Sequence, residues 1–402
     1  PLEPEPSLTI NVGQREPDGA ARAPRASRAE GGLLVTAPWS VTAVNHDGTI
    51  RWSRCLEDNV TAAIVAAPQH RPVNALVSVE VGLGQEFSSR WIQLSLRTGS
   101  EQTAFATAMT SAGIAADVVA RLMVVDVDDR YALLADSWFD DVEHVVRYDL
   151  VDDVAASLGP PTEMQDPTLG VCGMTPQLSL SGSGDVIVTN GALEGGAAVI
   201  ALWHQGTWSR DPAQLANVMG VRVAYDCANE PATVPNTLRG IDALGQVLWT
   251  NSDLSRANLE GIGLYVDGAV TVTQVCSQQD SDGMCITHEL VGIDQTTGEV
   301  LWTRSGLQLV AGDPADGYVL ATSGDLLSGS EPGWVMIDDG NGRSVPGQRW
   351  DDPATFNHPC CGDENSTTRA GGLVIVVDGA QIRVWYPAGT DGPPRTVTLE
   401  PA

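Results

Sequence analysis

The feature that most constrains this chain is a phrase that recurs along it and ends in tryptophan. Its clearest copy, residues 290–302, reads Leu-Val-Gly-Ile-Asp-Gln-Thr-Thr-Gly-Glu-Val-Leu-Trp, and less complete copies occupy residues 238–249 and 41–52. In each copy, a turn containing Asp or Asn and Gly separates two short runs with apolar residues. Such a turn between two apolar runs predicts a β-hairpin. The chain is therefore predicted to be built from hairpins rather than from helices.

The residue just before each predicted turn recurs at a regular interval. The eight positions of this kind are Asn45, Leu96, Asp149, Trp203, Asp242, Asp294, Asp338 and Tyr386. Their separations of 39 to 54 residues leave room for about four short strands each, which is typical of propeller blades. We therefore expect an all-β fold, a β-propeller of eight four-stranded blades, with seven blades as the alternative.

The motif also predicts how blades pack against each other. One blade cannot bury both of its faces, so neighbouring blades must close into a ring. The tryptophans have large apolar surfaces to bury between blades, and the Asp and Gly residues shape the turns. Structural roles are accordingly assigned to Trp52, Trp249, Trp302, Asp242, Asp294 and Gly298.

The repeat defines the domain organisation. Residues 1–30 are rich in Pro, Glu, Arg and Ala and are expected to form an arm or linker, with a strand only near residues 8–12. Residues 31–402 are expected to form one propeller domain, whose closure brings residues 8–12 or 33–36 beside residues 396–399. Short helical turns are expected within 112–122 and 212–218. The opening Pro-Leu-Glu-Pro-Glu-Pro resembles a stalk, and an export signal or membrane anchor is expected to precede it.

The chain is strongly acidic. It has 51 acidic residues against 22 basic ones, all of them arginine, and a net charge of -29. This field disfavours nucleic acid and anionic membrane surfaces and favours calcium or a basic partner. No run of 18 apolar residues is present, so no membrane span is predicted in this chain. Composition without lysine resembles that of proteins from GC-rich bacteria such as actinobacteria.

Seven cysteines raise the question of redox state. Cys276 and Cys285 flank a turn-rich segment between two predicted strands, so a hairpin is expected to bring them within bridging range. This predicted disulfide favours an oxidising compartment. The further disulfide candidates are Cys172, Cys227, Cys360 and Cys361. Because seven is odd, at least one thiol is expected to stay free or to pair outside the chain.

The phrase at 290–302 resembles the repeat of PQQ-type (pyrroloquinoline quinone-like) β-propellers, and those at 238–249 and 41–52 match it less fully. The resemblance implies the propeller fold. It leaves the function open, because the class includes quinoprotein dehydrogenases, assembly scaffolds and exported bacterial proteins.

The adjacent cysteines Cys360-Cys361 are the one enzymatic hint. Quinoprotein alcohol dehydrogenases carry such a pair against the quinone, and the order Trp350, Cys360-Cys361 and strand 373–377 is similar. However, the pair lies in the last repeat rather than an early one, and no convincing calcium ligand set follows. PQQ is therefore not expected, and the pair is expected to form disulfides elsewhere, for instance to Cys55. A metal at the adjacent His358 is also not expected, because adjacent cysteines rarely reach one ion together.

Acidic loops are the remaining candidates for a ligand. The segment 280–283, Asp-Ser-Asp-Gly, resembles the start of a calcium loop, but Val291 stands where the later Glu ligand is required. The segments 126–129 and 140–141 are expected to be solvated loop ends, with calcium left open as a ligand. The histidines show no ligand spacing, and no catalytic, cofactor-binding or metal-binding residue is assigned.

These observations predict a non-enzymatic, extracytoplasmic propeller that binds a protein or a cell-envelope component. The alternative is a quinoprotein (PQQ-dependent) oxidoreductase that uses the Cys360-Cys361 loop.

Overall fold

A computed structural model of the chain describes the following residues: 9–12, 25–29, 31–37, 40–45, 49–56, 59–66, 68–81, 88–137, 142–159, 161, 163, 176–181, 184–190, 199–215, 222–225, 237–242, 244, 246–255, 265–267, 269–279, 285–313, 317–322, 334–345, 373–378, 381–386 and 395–399. They form small antiparallel sheets in which every strand except the first pairs with a strand adjacent to it in sequence. Among them, no helix has the length and apolar character required to cross a membrane.

The strands of the first four sheets follow the chain order. The first sheet holds β2 (Arg25–Ala29), β3 (Gly32–Ala37), β4 (Ser40–Asn45) and β5 (Ile50–Cys55). The second holds β6 (Asn59–Ile64), β7 (Asn74–Val81), β8 (Ser88–Ser95) and β9 (Glu101–Gln102). The third holds β10 (Met123–Val127), β11 (Tyr131–Ala135), β12 (Val145–Asp149) and β13 (Val154–Ser157). The fourth holds β14 (Gln177–Leu180), β15 (Val186–Thr189), β16 (Val199–His204) and β17 (Thr207–Ser209).

The later sheets continue the same arrangement. The described part of the fifth sheet holds β18 (Arg222–Tyr225), β19 (Thr237–Ile241) and β20 (Val247–Ser255). The sixth holds β21 (Tyr265–Asp267), β22 (Val270–Gln279), β23 (Cys285–Asp294) and β24 (Val300–Ser305). The seventh holds β25 (Gln308–Asp313), β26 (Tyr318–Thr322), β27 (Trp334–Asp338) and β28 (Ser344–Val345). The eighth combines β1 (Thr9–Val12) with β29 (Leu373–Asp378), β30 (Gln381–Tyr386) and β31 (Arg395–Leu399).

The two chain ends share the eighth sheet. Strand β1 pairs antiparallel with β29, with Thr9 opposite Val376 and Val12 opposite Leu373. The segment near residues 8–12 is therefore a strand that joins the C-terminal sheet, as expected, but it lies beside β29 rather than beside β31. Strand β2 also falls within residues 1–30, so the arm expected there does not include β1 or β2. The boundary of the domain stays a prediction.

The hydrophobic core is divided into layers between consecutive sheets. Buried Val77 and Leu94 of the second sheet pack with Leu34 of the first, and buried Leu238 of the fifth sheet packs with Val291 of the sixth. Each layer removes the apolar face of one sheet from water against the face of the next, which is the principal stabilising term in such a fold. The fold is an all-β propeller. The number of blades in the ring stays a prediction.

The described helices are short. They are α1 (Ala104–Ser111), α2 (Ala116–Val119) and α3 (Pro212–Leu215), with one 3₁₀ turn at Pro68–His70. Helix α3 confirms the helical turn expected within 212–218. Helix α2 likewise confirms the helical turn expected within 112–122, whereas α1, which precedes it, is not predicted from the sequence. Gly113 adopts a left-handed backbone angle, φ 76°, which ends α1 at this point.

Candidate functional site

Three tryptophans lie in the joints between consecutive sheets. Trp52 of the first sheet donates its indole N–H to the backbone oxygen of Leu96 in the second sheet, at 2.9 Å. Trp249 of the fifth sheet donates to Gln295 O of the sixth at 2.7 Å, and Trp302 of the sixth donates to Asp339 O of the seventh. Each acceptor belongs to the turn between the third and fourth strands of the next sheet.

A turn glycine makes each of these contacts possible. A Cβ atom on Gly99, Gly298 or Gly342 would lie 2.8, 2.3 or 2.6 Å from the indole of the preceding sheet. These distances are shorter than atoms tolerate, so only glycine lets the ring lie against the turn. The three glycines also have φ between 66° and 75°, where a side chain is disfavoured.

Carboxylates stabilise the same turns. Asp294 Oδ1 accepts the backbone N–H groups of Thr296 and Thr297 at 2.8 and 2.9 Å. Asp242 Oδ1 accepts those of Leu244 and Gln246 at 2.9 and 2.8 Å. The motif aspartates thus act as local acceptors for N–H groups of their own turns.

The joint between the second and third sheets has a different composition. In the sixth sheet, Trp302 follows the turn glycine, Gly298, by four residues. In the second sheet, the residue four positions after the turn glycine, Gly99, is Thr103, which is therefore the counterpart of Trp302. The counterpart of the turn glycine in the third sheet is Asp153, which has φ 54°. This joint therefore lacks both the tryptophan and the glycine that accommodates it.

Asp153 instead links the two sheets through hydrogen bonds. Its Oδ1 accepts Gln93 Nε2 at 2.6 Å and the Tyr148 hydroxyl at 2.5 Å, and its Oδ2 accepts Asn74 Nδ2 at 3.4 Å. Gln93 Oε1 in turn accepts the N–H of Phe105 at the start of α1, at 3.0 Å. Burial, and then the neighbouring Asp153, raise the pKa of Tyr148, which therefore stays a neutral donor.

A groove opens where the tryptophan is missing. It has a volume of about 590 Å³ and is lined by residues of 102–112 on one side and 153–155 on the other. We call it the 2–3 groove. Its polar lining groups include Gln102, Thr103, Thr107, Ser111 and Asp153.

The acidic segment at 126–129 has a structural role. Asp126 Oδ2 accepts the N–H of Leu180 in the fourth sheet at 2.7 Å, and Asp128 Oδ1 accepts the N–H groups of Arg130 and Tyr131 at 2.8 and 2.6 Å. Burial raises the pKa of both carboxyl groups, although these N–H groups act in the opposite direction. Both carboxylates thus hold backbone groups in place, and calcium at this segment stays a prediction.

A second cluster joins Asp136, Glu143 and His144 at the hairpin between β11 and β12. Their candidate ligand atoms lie within 4.8 Å of one another. Asp136, whose side chain is 2% exposed, accepts His144 Nδ1 at 2.8 Å and the N–H groups of Glu143 and His144 at 3.0 Å. Burial acts to raise the pKa of Asp136, but these hydrogen bonds outweigh it and hold the pKa below its ordinary value. Arg121 lies 3.9 Å away and opposes a cation, so the cluster is a structural clamp on the hairpin.

The cysteines are described only in part. Cys55 and Cys276 are disulfide-bonded. Strand register places Cys276 opposite His288 and Cys285 opposite Gln279, so the two cysteines are not cross-strand neighbours. The pairing of Cys276 with Cys285 therefore stays a prediction, because the side chain of Cys285 lies outside the described part of the chain.

Several predicted residues fall outside the described ranges. They are Cys172, Cys227, Cys360, Cys361, His358, Trp350, Asp140, Asp141 and the loop 280–283. Sequence reasoning missed the 2–3 groove. The signal was present, because a four-residue step from Gly99 leads to threonine where the other copies have tryptophan.

Comparisons with known proteins give structural neighbours at low identity. BamB from Moraxella catarrhalis is 13% identical, with 98% of each chain covered and a TM-score of 0.39. A quinohemoprotein alcohol dehydrogenase from Comamonas testosteroni is 11% identical, with 98% of this chain and 76% of that chain covered and a TM-score of 0.41. Polysaccharide lyase Uly1 is 10% identical, with 100% and 99% covered and a TM-score of 0.39.

No protein-family model and no curated protein matches the chain. Because the structural neighbours differ in kind and share little sequence with the chain, none of them transfers a function to it.

Proposed function

We propose that this protein is a non-enzymatic, extracytoplasmic β-propeller that binds a protein or cell-envelope partner. The observation that carries the proposal is an exposed apolar stripe on the outer strands of two consecutive sheets. Val247 and Leu248 on β20 are 49% and 52% exposed, and Val300 and Leu301 on β24 are 43% and 45% exposed.

The stripe is suited to a protein surface. Both pairs immediately precede a docked tryptophan, and Trp249 joins the two sheets at this end through Gln295. Among the described strands, β20 and β24 lie at the ends of their sheets, and an edge strand offers backbone groups to a partner. Pairs of adjacent exposed apolar residues on such strands are suited to docking another protein.

The net charge supports a basic partner, and the disulfide bonds support an oxidising compartment. The net charge of -29 favours a partner with basic residues and opposes nucleic acid. The disulfide bonds of Cys55 and Cys276 support an oxidising compartment outside the cytoplasm.

Capture from cell-envelope extracts tests the proposal. The immobilised protein is compared with a variant carrying Leu248→Ser and Leu301→Ser, and with a control carrying Val73→Ser and Ile286→Ser, which are also exposed apolar positions. We expect a specific envelope component to bind the wild type and the control but not the stripe variant. Equal capture by all three proteins would contradict the role of the stripe.

The alternative, a quinoprotein oxidoreductase, depends on Cys360-Cys361, which lies outside the described residues. Absorption spectra recorded with added PQQ and calcium test it. A quinone band retained by the protein, with calcium-dependent dye reduction, would favour the enzyme over the scaffold.

A further inference from the structure

The tryptophan joints show which chemistry the turn surface accepts. In each, a second side chain of the preceding sheet also donates to the turn glycine. These bonds run from Arg54 Nη1 to Gly99 O at 3.0 Å, from Asn251 Nδ2 to Gly298 O at 2.8 Å, and from Arg304 Nη1 to Gly342 O at 2.8 Å. Every described joint of this type therefore presents turn oxygens to N–H donors that come from the neighbouring sheet.

The 2–3 groove is lined by Asp153, the counterpart of the turn glycine that acts as an acceptor in the other joints, and it lacks these donors. The positions that correspond to Trp302 and Arg304 are Thr103 and Phe105. Thr103 makes no side-chain capping bond at the start of α1, and Phe105 is buried against Trp91 and Tyr148. Neither supplies an N–H group from its side chain to the turn of the third sheet.

Asp153 adds a negative charge to this acceptor surface. The donors to its carboxylate are Gln93, Tyr148 and Asn74, which are all neutral. Among the described residues, no arginine or histidine forms a salt bridge with Asp153. A carboxylate offers about four lone-pair positions, so one remains for a ligand after these three bonds.

The space excludes a tryptophan and suits a longer, thinner side chain. In the other joints, a Cβ atom at the turn glycine would lie within 3 Å of the indole. Asp153 stands at this position in the third sheet and has a Cβ atom, so an indole would not fit against it in the same way. The groove of about 590 Å³ is open along α1, where Ser111 and Thr107 line it with hydroxyl groups. An arginine side chain has an apolar stem that can lie along the helix and five N–H donors at its tip.

We propose that the 2–3 groove binds an arginine side chain from a protein partner, with Asp153 as the acceptor of its guanidinium. The inference rests on the proposed function, since the occupant is a segment of a bound protein. It adds a second binding surface, on different sheets from the apolar stripe. The net charge of -29 favours a basic partner in general, and Asp153 would be one place where the protein contacts a basic side chain.

Fluorescence anisotropy with a defined probe tests the proposal. The probe is a fluorescein-labelled peptide Gly-Gly-Arg-Arg-Gly-Gly, and the matched peptide carries citrulline, which has nearly the same shape but no charge. Binding is measured in about 0.15 M salt, where long-range attraction to the acidic surface is screened. We expect Asp153→Asn to weaken binding of the arginine peptide about tenfold, as for loss of one hydrogen-bonded charge pair. Asparagine tolerates the positive φ at this position, so the variant is expected to fold.

Two further variants separate the groove from general charge effects. Asp117→Asn removes one charge from an exposed position on α2 and is expected to change affinity less than about twofold. The double variant Thr103→Trp with Asp153→Gly rebuilds the joint seen at Trp302 and is expected to fill the groove and abolish binding. Equal losses for Asp153→Asn and Asp117→Asn, equal binding of the citrulline peptide, or full binding by the double variant would each overturn the proposal.

This outcome is independent of the proposed function as a whole. Capture of a partner through the stripe of Leu248 and Leu301, with no effect of Asp153→Asn on the peptide, would reject the groove alone. Peptide binding that depends on Asp153, with no envelope component captured by the wild type, would instead reject the proposed function.

Discussion

The close approach of Trp249 to Gly298 gives the sharpest test of how neighbouring sheets are held together. In a Gly298→Ala variant, the new Cβ atom would lie 2.3 Å from the indole of Trp249. The backbone at Gly298 has φ 75°, and holding alanine in this left-handed conformation costs about 1 kcal/mol more than holding glycine there. Overpacking against the ring adds about 2 kcal/mol. We therefore expect the free energy of unfolding to fall by about 3 kcal/mol.

Gly306 provides a matched control. Its φ is 74°, but a Cβ atom there would meet nothing within 4 Å. Gly306→Ala therefore carries only the backbone term, about 1 kcal/mol. Urea unfolding followed by far-ultraviolet circular dichroism measures the free energy of unfolding of both variants against the wild type.

The difference between the two variants isolates the contact with the ring. A Trp249→Leu change in the Gly298→Ala background is expected to recover part of the loss, because a smaller side chain leaves room for the methyl group. Equal destabilisation by Gly298→Ala and Gly306→Ala would refute the claim that glycine is required for tryptophan docking.

Three other predictions concern buried polar groups. Because the folded-state pKa of Asp136 is lowered, its ionised form stabilises the fold above the ordinary value of 3.8 and loses this effect as the pH falls through the folded pKa. Asp136→Asn should cost about 1–2 kcal/mol at pH 7 and progressively less below about pH 4, measured by urea unfolding across pH. Because burial raises the pKa of Asp126, its contribution is favourable below 3.8 and is lost as the pH rises through the folded pKa. Asp126→Asn keeps the acceptor for the Leu180 N–H and should increase stability at pH 7, with a smaller gain in acid. Tyr148→Phe removes a donor to Asp153 and should lower the free energy of unfolding by about 1–2 kcal/mol.

Each of these predictions has a result that would contradict it. A constant effect of Asp136→Asn between pH 3 and 7 would show that the charge of this carboxylate is not coupled to folding. A loss of stability at pH 7 in Asp126→Asn would show that the buried charge is favourable. An unchanged free energy of unfolding in Tyr148→Phe would mean that water replaces the hydroxyl in the link between the second and third sheets.

Most of the repeating architecture follows from local sequence. The landmark positions Asn45, Asp294 and Asp338 each end the third strand of a sheet, as the spacing predicted. Period-two alternation and Asx-Gly turns involve neighbouring residues, and hairpins need no distant contact to be specified. Helix α1 is not predicted from the sequence, because its apolar residues, including Phe105 and Met109, pack between sheets that local periodicity does not reveal.

The candidate site was far less accessible from the sequence. The sequence predicts solvated loop ends at the acidic segments, yet Asp126 accepts a hydrogen bond from the N–H of Leu180 in the next sheet. Its role depends on which sheets become neighbours, and nothing within residues 126–129 encodes that contact. The same limit applies to Asp136, whose burial follows from the hairpin that folds over it.

The sequence by itself determined the unit of this protein, a hairpin with a turn aspartate, a turn glycine and a tryptophan, because these features act within about a dozen residues. Only the tertiary structure decided what each unit meets. It placed Trp302 against Gly342 of the following sheet, and it set Thr103 and Asp153 across a joint where a groove replaces that contact. The physical reason is that a propeller buries its apolar surface between units, so that the chemistry of a joint belongs to two segments about 50 residues apart.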